Sequence, residues 1–396
     1  MTGPVGWLLT IEPFGASLGW SLIRDDGREL QVEAGTVEDP RGTIRDMARR
    51  AVPMNGAGPD VHGLAGPWAG ALTDPDQEFD IAVSLGEALL PPTLRTALLS
   101  RVSDPTTSVD TVTIATRGWP ARIAWELLAL DRAGRRLLER AIVAGGLSAA
   151  VTATRTRRAP ATDVARFGYA VLDPGPLEGA NRSLYPAGYP EPLVRQLGAL
   201  GDDYTPADRG LTADELAYQL HRAPSRLLYV GHIRPGPEGA PAGAAFVLRG
   251  TRVNTPGLLT ARDWLASPGR WPSPARVALI GCASDDTGPF EQSGLVIAAV
   301  NAGAHLVTAT RWPLPTDHLP GSACTPTQPV HHHGLTDLAL AVHDAHSQPH
   351  PVSTLRKWQL AQLARWRDSG QLQHSPVLWA ATITYDAAAT PREQKQ

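Results

Sequence analysis

Cysteine is almost absent from this chain, with Cys282 and Cys324 its only two. A disulfide framework is therefore not expected, and a reducing compartment is. Lysine is as scarce, Lys357 and Lys395 standing alone beside the arginines. With the abundance of Ala, Gly and Pro, this reads as coding bias rather than function. Charge of one sign is also lacking: the net value is −3, which gives no field toward nucleic acid or an anionic membrane. Long apolar runs are missing. The longest, Leu295 to Thr310, is interrupted by Asn301, Gly303 and His305, too short and too broken to span a bilayer. Met1 to Gly6 has neither the basic start nor the apolar core of a signal peptide, so a cytoplasmic location is expected. Metal-ligand spacing is absent too. The run His331-His332-His333 has no carboxylate or cysteine framework beside it and reads as a loop, as does Cys324 in its Pro/Thr-rich setting. No metal or cofactor is expected.

What is present suits a globular protein: 396 residues, 42% hydrophobic and 19% charged, enough for two domains or one large one. The first half opens with Trp7–Ile11, Leu18–Ile23 and Leu30–Ala34 around the turn signal Asp25-Asp26-Gly27, an antiparallel meander. Arg41 to Val52 and Leu90 to Val102 read as helices, Pro53 to Gln77 as loop, and the alternating, β-branched Asp110–Thr116 as a strand. Arg155 to Thr162, basic, polar and proline-containing, reads as a solvated linker. This places a smaller α+β domain over 1–160.

The second half alternates strand and helix. Gly168–Leu172 is a strand stopped by Asp173-Pro174-Gly175-Pro176. Helices follow at Glu191–Leu200 and at Thr212–Arg222, the latter with Thr212 as N-cap. Further strands are Arg226–Val230, Ala244–Leu248, Val277–Ile280 and His305–Thr310, with helices at Thr260–Ala266 and Gln292–Asn301 between them. Continuous apolar strands separated by helices predict a mainly parallel sheet covered on both faces, whose ligands sit at the carboxyl ends of the strands.

Two of those strands stop at a glycine followed by a reactive side chain: Gly231-His232 and Gly281-Cys282. A thiol is a weak nucleophile at neutral pH, and a neighbouring imidazole makes it a strong one. Parallel neighbours about 4.8 Å apart would bring both side chains to one rim. There His232 would take the thiol proton and Cys282 would attack a carbonyl to form an acyl-enzyme. The backbone N–H groups of Cys282 and Ile233 are the candidate oxyanion donors. Asp285 and Asp286, in the loop after Cys282, are candidates for binding a basic substrate residue, with solvated loop or helix cap as the plainer reading. The separation of 50 residues between His232 and Cys282 is about that of caspases.

The block Leu279-Ile280-Gly281-Cys282-Ala283-Ser284, with Ser293-Gly294-Leu295 and Ala302 through Pro313, resembles the signature of CHAT-domain proteins, which are caspase- and separase-related cysteine peptidases. Ala124-Trp125-Glu126-Leu127-Leu128 resembles the family's proline-tryptophan-glutamate segment, with Ala124 in the proline's place. Tyr229-Val230-Gly231-His232 resembles its histidine motif, and Ser375 to Ala381 its C-terminal strand. The resemblance runs in order from about Leu90 to Tyr385. It implies a caspase-like α/β sandwich with a mainly parallel sheet over 161–391 and His232–Cys282 as the catalytic dyad. Residues 1–160 would be a regulatory or inactive caspase-like half. The implied activity is that of a cytoplasmic cysteine endopeptidase making limited cuts in a protein substrate, in bacterial defence or signalling, under an activating or inhibitory protein partner. The alternative is a catalytically inactive scaffold. Ile233 is the departure that favours it, since the family has glycine there. A donor geometry that needs positive φ would be spoiled by a β-branched residue, although the donor N–H itself is retained.

Overall fold

A computed structural model describes residues 5–27, 29–51, 70–100, 109–155, 167–174, 184, 189–200, 203–206, 209–234, 236, 240–250, 256–281, 294–312, 314–315, 317 and 333–387. They fall into two compact units. One holds the described residues within Met1–Gly146 and Val352–Ile383, the other those within Leu147–Gly288, Gln292–Pro351 and Thr384–Gln396.

The first unit begins with the predicted meander: β1 (Gly6–Phe14), β2 (Ser17–Asp25) and β3 (Leu30–Glu38), antiparallel in sequence order. Its turns use Gly15 at φ 61° and Gly27 at φ 78°, a backbone region open to glycine. β1 then pairs in parallel with β4 (Asp110–Thr116), and β4 with β5 (Ala141–Gly145). Leu9, Ile11, Leu22, Leu85, Ile114 and Trp125 pack together in the core.

The stretch read as loop up to Gln77 is corrected at its end, where the helix Pro75–Leu89 begins, while residues 53–69 of it lie outside the described ones. Asp74 caps this helix, accepting from the N–H groups of Asp76 and Gln77, and Pro75 sits where a missing N–H costs nothing. Its Glu78 carboxylate takes the Arg136 guanidinium at 2.9 Å, with side chains 3% and 1% exposed. Burial pushes the Glu78 carboxyl up, against the pull of Arg136, and pushes Arg136 down.

The second unit carries the parallel sheet. Its strands are β6 (Gly168–Leu172), β7 (Tyr204–Thr205), β8 (Arg226–Val230), β12 (Arg276–Ile280) and β13 (Leu306–Thr310). The order is β13-β12-β8-β6-β7, every pairing parallel. From Leu227 to Val230 and from Val277 to Ile280 every residue is buried, as expected of strands covered on both faces.

The predicted strand at Ala244–Leu248 does not join this sheet. It forms β10 (Ala245–Arg249), the middle of a separate antiparallel sheet between β9 (Ile233–Arg234) and β11 (Pro256–Thr260). The strand read at Ser375–Ala381 is likewise corrected. Ser375 Oγ accepts from Val377 N–H and opens the short helix Pro376–Trp379, whose leading proline has no N–H for a sheet ladder. The strand comes afterwards, β14 (Thr382–Asp386), beside β13. Trp125, Trp312 and Trp379 are core residues. No helix among the described residues is long and apolar enough to cross a membrane.

Candidate active site

Because β6, β8, β12 and β13 run parallel, their carboxyl ends share one rim. That rim carries Asp173, His232, Gly281 and Arg311, each just past its strand. The strand ends of β8 and β12 are tied together: Ile280 is registered with Val230, and Gly231 N–H donates to the Ile280 carbonyl at 3.1 Å. The two glycines are required by close approach. A Cβ on Gly281 would come within 3.0 Å of Ile233 Cδ1 and closer still to the Gly231 carbonyl oxygen. A Cβ on Gly231 would stand 2.7 Å from Tyr229 Cζ. On the other side of β12, the Thr310 hydroxyl donates to the Gly281 carbonyl. Cys282, Asp285 and Asp286 lie outside the described residues.

His232 is 8% exposed, in the link between β8 and β9. Its backbone is held by the Tyr229 hydroxyl, which donates to the His232 carbonyl at 2.8 Å and faces the Val247 carbonyl at 3.0 Å. Val247 N–H donates to the same His232 carbonyl at 3.0 Å. Tyr229 itself is wedged against Phe246, ring centroids 4.6 Å apart, and Phe246 against Trp264 at 5.5 Å.

Ile233 opens β9 opposite Phe246. Hydrogen-bonded and non-hydrogen-bonded pairs alternate along an antiparallel ladder. Since Val247 N–H bonds the His232 carbonyl, the 233/246 pair is the non-bonded one. The Ile233 N–H therefore points away from β10, on the outer edge of that sheet. Its φ is not positive, so the β-branched side chain sits in the extended backbone that suits it, 3% exposed.

Sequence reasoning missed Asp173. It follows β6 in the left-handed region, φ 43°, and its N–H donates to the Val230 carbonyl at 2.6 Å. Oδ2 accepts from Leu184 N–H at 3.0 Å and the Tyr189 hydroxyl at 3.4 Å, while Oδ1 lies 3.7 Å from His232 Nε2. The available signal was an acidic residue at the end of the strand beside the histidine strand, hidden in an Asp-Pro-Gly-Pro run that reads as a turn. Near the start of β6, burial pushes the Tyr169 phenol up to about 12, with Thr205 bonded to its oxygen at 2.7 Å.

The second unit is an α/β fold with a parallel sheet and a histidine at its carboxyl rim, similar to a caspase-like sandwich. Residues 80–386 match the family model described as CHAT domain, and the chain belongs to that family. Among solved structures it is similar to the Saccharomyces cerevisiae separase–securin complex, at 8% identity with a TM-score of 0.52, covering 96% of this chain. The chain spans 30% of the length of that one. No curated protein sequence matches it.

Proposed function

We propose that the protein is a cysteine endopeptidase that makes limited cuts in a protein substrate through His232 and Cys282. The observation carrying this reading is the joined end of β8 and β12: Gly231 and Gly281 pack backbone to backbone, and His232 and Cys282 each follow one of them. The reading requires both side chains to reach a single carbonyl group.

In this reading His232 takes the thiol proton as sulfur attacks the substrate carbonyl, and returns a proton to the leaving amine. The outward Ile233 N–H and that of Cys282 receive the oxyanion. Asp285 and Asp286 would meet a basic substrate residue. Residues 1–160 act as a regulatory or inactive half and 161–391 as the peptidase domain, and a reducing cytoplasm keeps the thiol free. The separase neighbour was solved with securin, which favours a protein activator or inhibitor here too. Bacterial defence or signalling is the setting that family analogy suggests.

Comparing protein N-termini in cells carrying the wild type or Cys282→Ala tests this. New N-termini in one or a few proteins with the wild type alone are expected. Identical N-termini in both would favour the inactive scaffold.

A further inference from the structure

The geometry points to Asp173 as a positioning residue for His232, making a triad of the proposed His232–Cys282 dyad. This inference rests on that catalytic reading. It starts from the restraint on Asp173. A non-glycine residue at φ 43° is uncommon, and aspartate is among the few that tolerate it. Such conformations persist where surroundings over-determine them, often at functional sites. Here the backbone N–H is fixed to Val230 and Oδ2 to Leu184 N–H and the Tyr189 hydroxyl. These contacts turn Oδ1 toward the imidazole, at 3.7 Å from Nε2, with side chains 5% and 10% exposed. That separation is within ion-pair range, and hydrogen bonds at apo sites commonly tighten as charge develops.

The chemistry follows from which nitrogen the carboxylate faces. A carboxylate beside Nε2 favours the tautomer with its proton there and leaves Nδ1 as the base. The thiol proton passes from sulfur to Nδ1, and Nε2 keeps its own. The imidazolium formed is balanced by the ionised carboxylate, which takes no proton. The Nδ1 proton then goes to the leaving amine as the C–N bond breaks. Burial strengthens this pairing relative to one in water.

Asp173→Asn removes the charge, keeps an oxygen for Leu184 and Tyr189, and tolerates the same backbone. Labelling of Cys282 by a thiol-reactive peptidyl probe, and turnover of a cleaved peptide, should slow at least about tenfold. That is less than the roughly 10²–10⁴-fold expected for loss of the base itself. KM should stay within about twofold, and Asp173→Glu should recover part of the rate. The ¹⁵N signals of the His232 ring, assigned with His232→Gln, should show an Nε2–H tautomer in the wild type and a mixture in Asp173→Asn.

Unchanged labelling together with an unchanged tautomer would overturn the inference. So would a loss confined to KM for substrates with a basic residue at the cleaved bond, which would make Asp173 a substrate contact. The tautomer comparison needs no turnover. If wild-type Cys282 is never labelled, the peptidase reading fails, and the ring signals still decide whether Asp173 orients His232.

Discussion

Gly231 donates its backbone N–H to the carbonyl of Ile280 at 3.1 Å, and the strand ends leading to His232 and Cys282 are thereby fixed to one another. The catalytic proposal depends on this junction, and it can be disturbed by a single methyl group.

Gly281→Ala should do so. Its Cβ would meet the Gly231 carbonyl oxygen and the Ile233 side chain, backbone and buried groups with little room to yield. An overpacking cost of about 1–3 kcal/mol is expected, read by urea denaturation, with slower probe labelling of Cys282. Wild-type stability and rate together would mean that the strand ends are looser than described.

Ile233→Gly separates packing from chemistry. Ile233 is 3% exposed, and its loss should cost about 2–5 kcal/mol, as for large-to-small core changes. The outward N–H remains, so labelling of the folded variant should stay within a few fold. A gain of tenfold or more would show that the isoleucine backbone was limiting the oxyanion site.

The fold was legible where chemistry is monotonous along the chain. Leu227–Val230 and Val277–Ile280 are apolar because both their faces are covered, so their composition announced a parallel sheet. Composition does not name a strand's partner. Ala245–Arg249 has the same character, yet pairs antiparallel with β9 and β11 because the chain turns back immediately after His232. Helix Pro75–Leu89 was hidden because its signals, Asp74 and Pro75, are also turn signals. At the site, His232 was legible from its strand end, whereas Asp173 was not, since its role depends on β6 lying beside β8.

Glu78 and Arg136 offer a test of the first unit. Removing one partner from a buried pair leaves the other charge uncompensated, at about 3–5 kcal/mol. Glu78→Gln and Arg136→Met should each destabilise by that order, while Glu78→Leu with Arg136→Met should recover most of it. Single variants within 0.5 kcal/mol of wild type would contradict the burial of the pair.

Acid sensitivity should come partly from two histidines on the helix Gly334–Ser347. Burial pushes His343 down to about 4 and His346 down to about 3, assisted by nearby cations. Both rings are neutral in the fold and bind protons more readily in the unfolded chain, below about pH 6.5. Their contribution is complete above that pH and is lost as pH falls toward 4 and then 3. Each adds a slope of about 1.4 kcal/mol per pH unit between its folded and unfolded values. His346→Gln should flatten stability measured against pH in this window, and an unchanged slope would refute its neutral burial.

The central claim is that His232 activates the Cys282 sulfur. Its most direct measurement is the labelling rate of Cys282 by an electrophilic peptidyl probe in the wild type and in His232→Ala, with Cys282→Ala as the blank. The account predicts rapid labelling at Cys282 in the wild type, none in the blank, and a loss of about 10²-fold or more without the imidazole. Labelling of His232→Ala at the wild-type rate would contradict it.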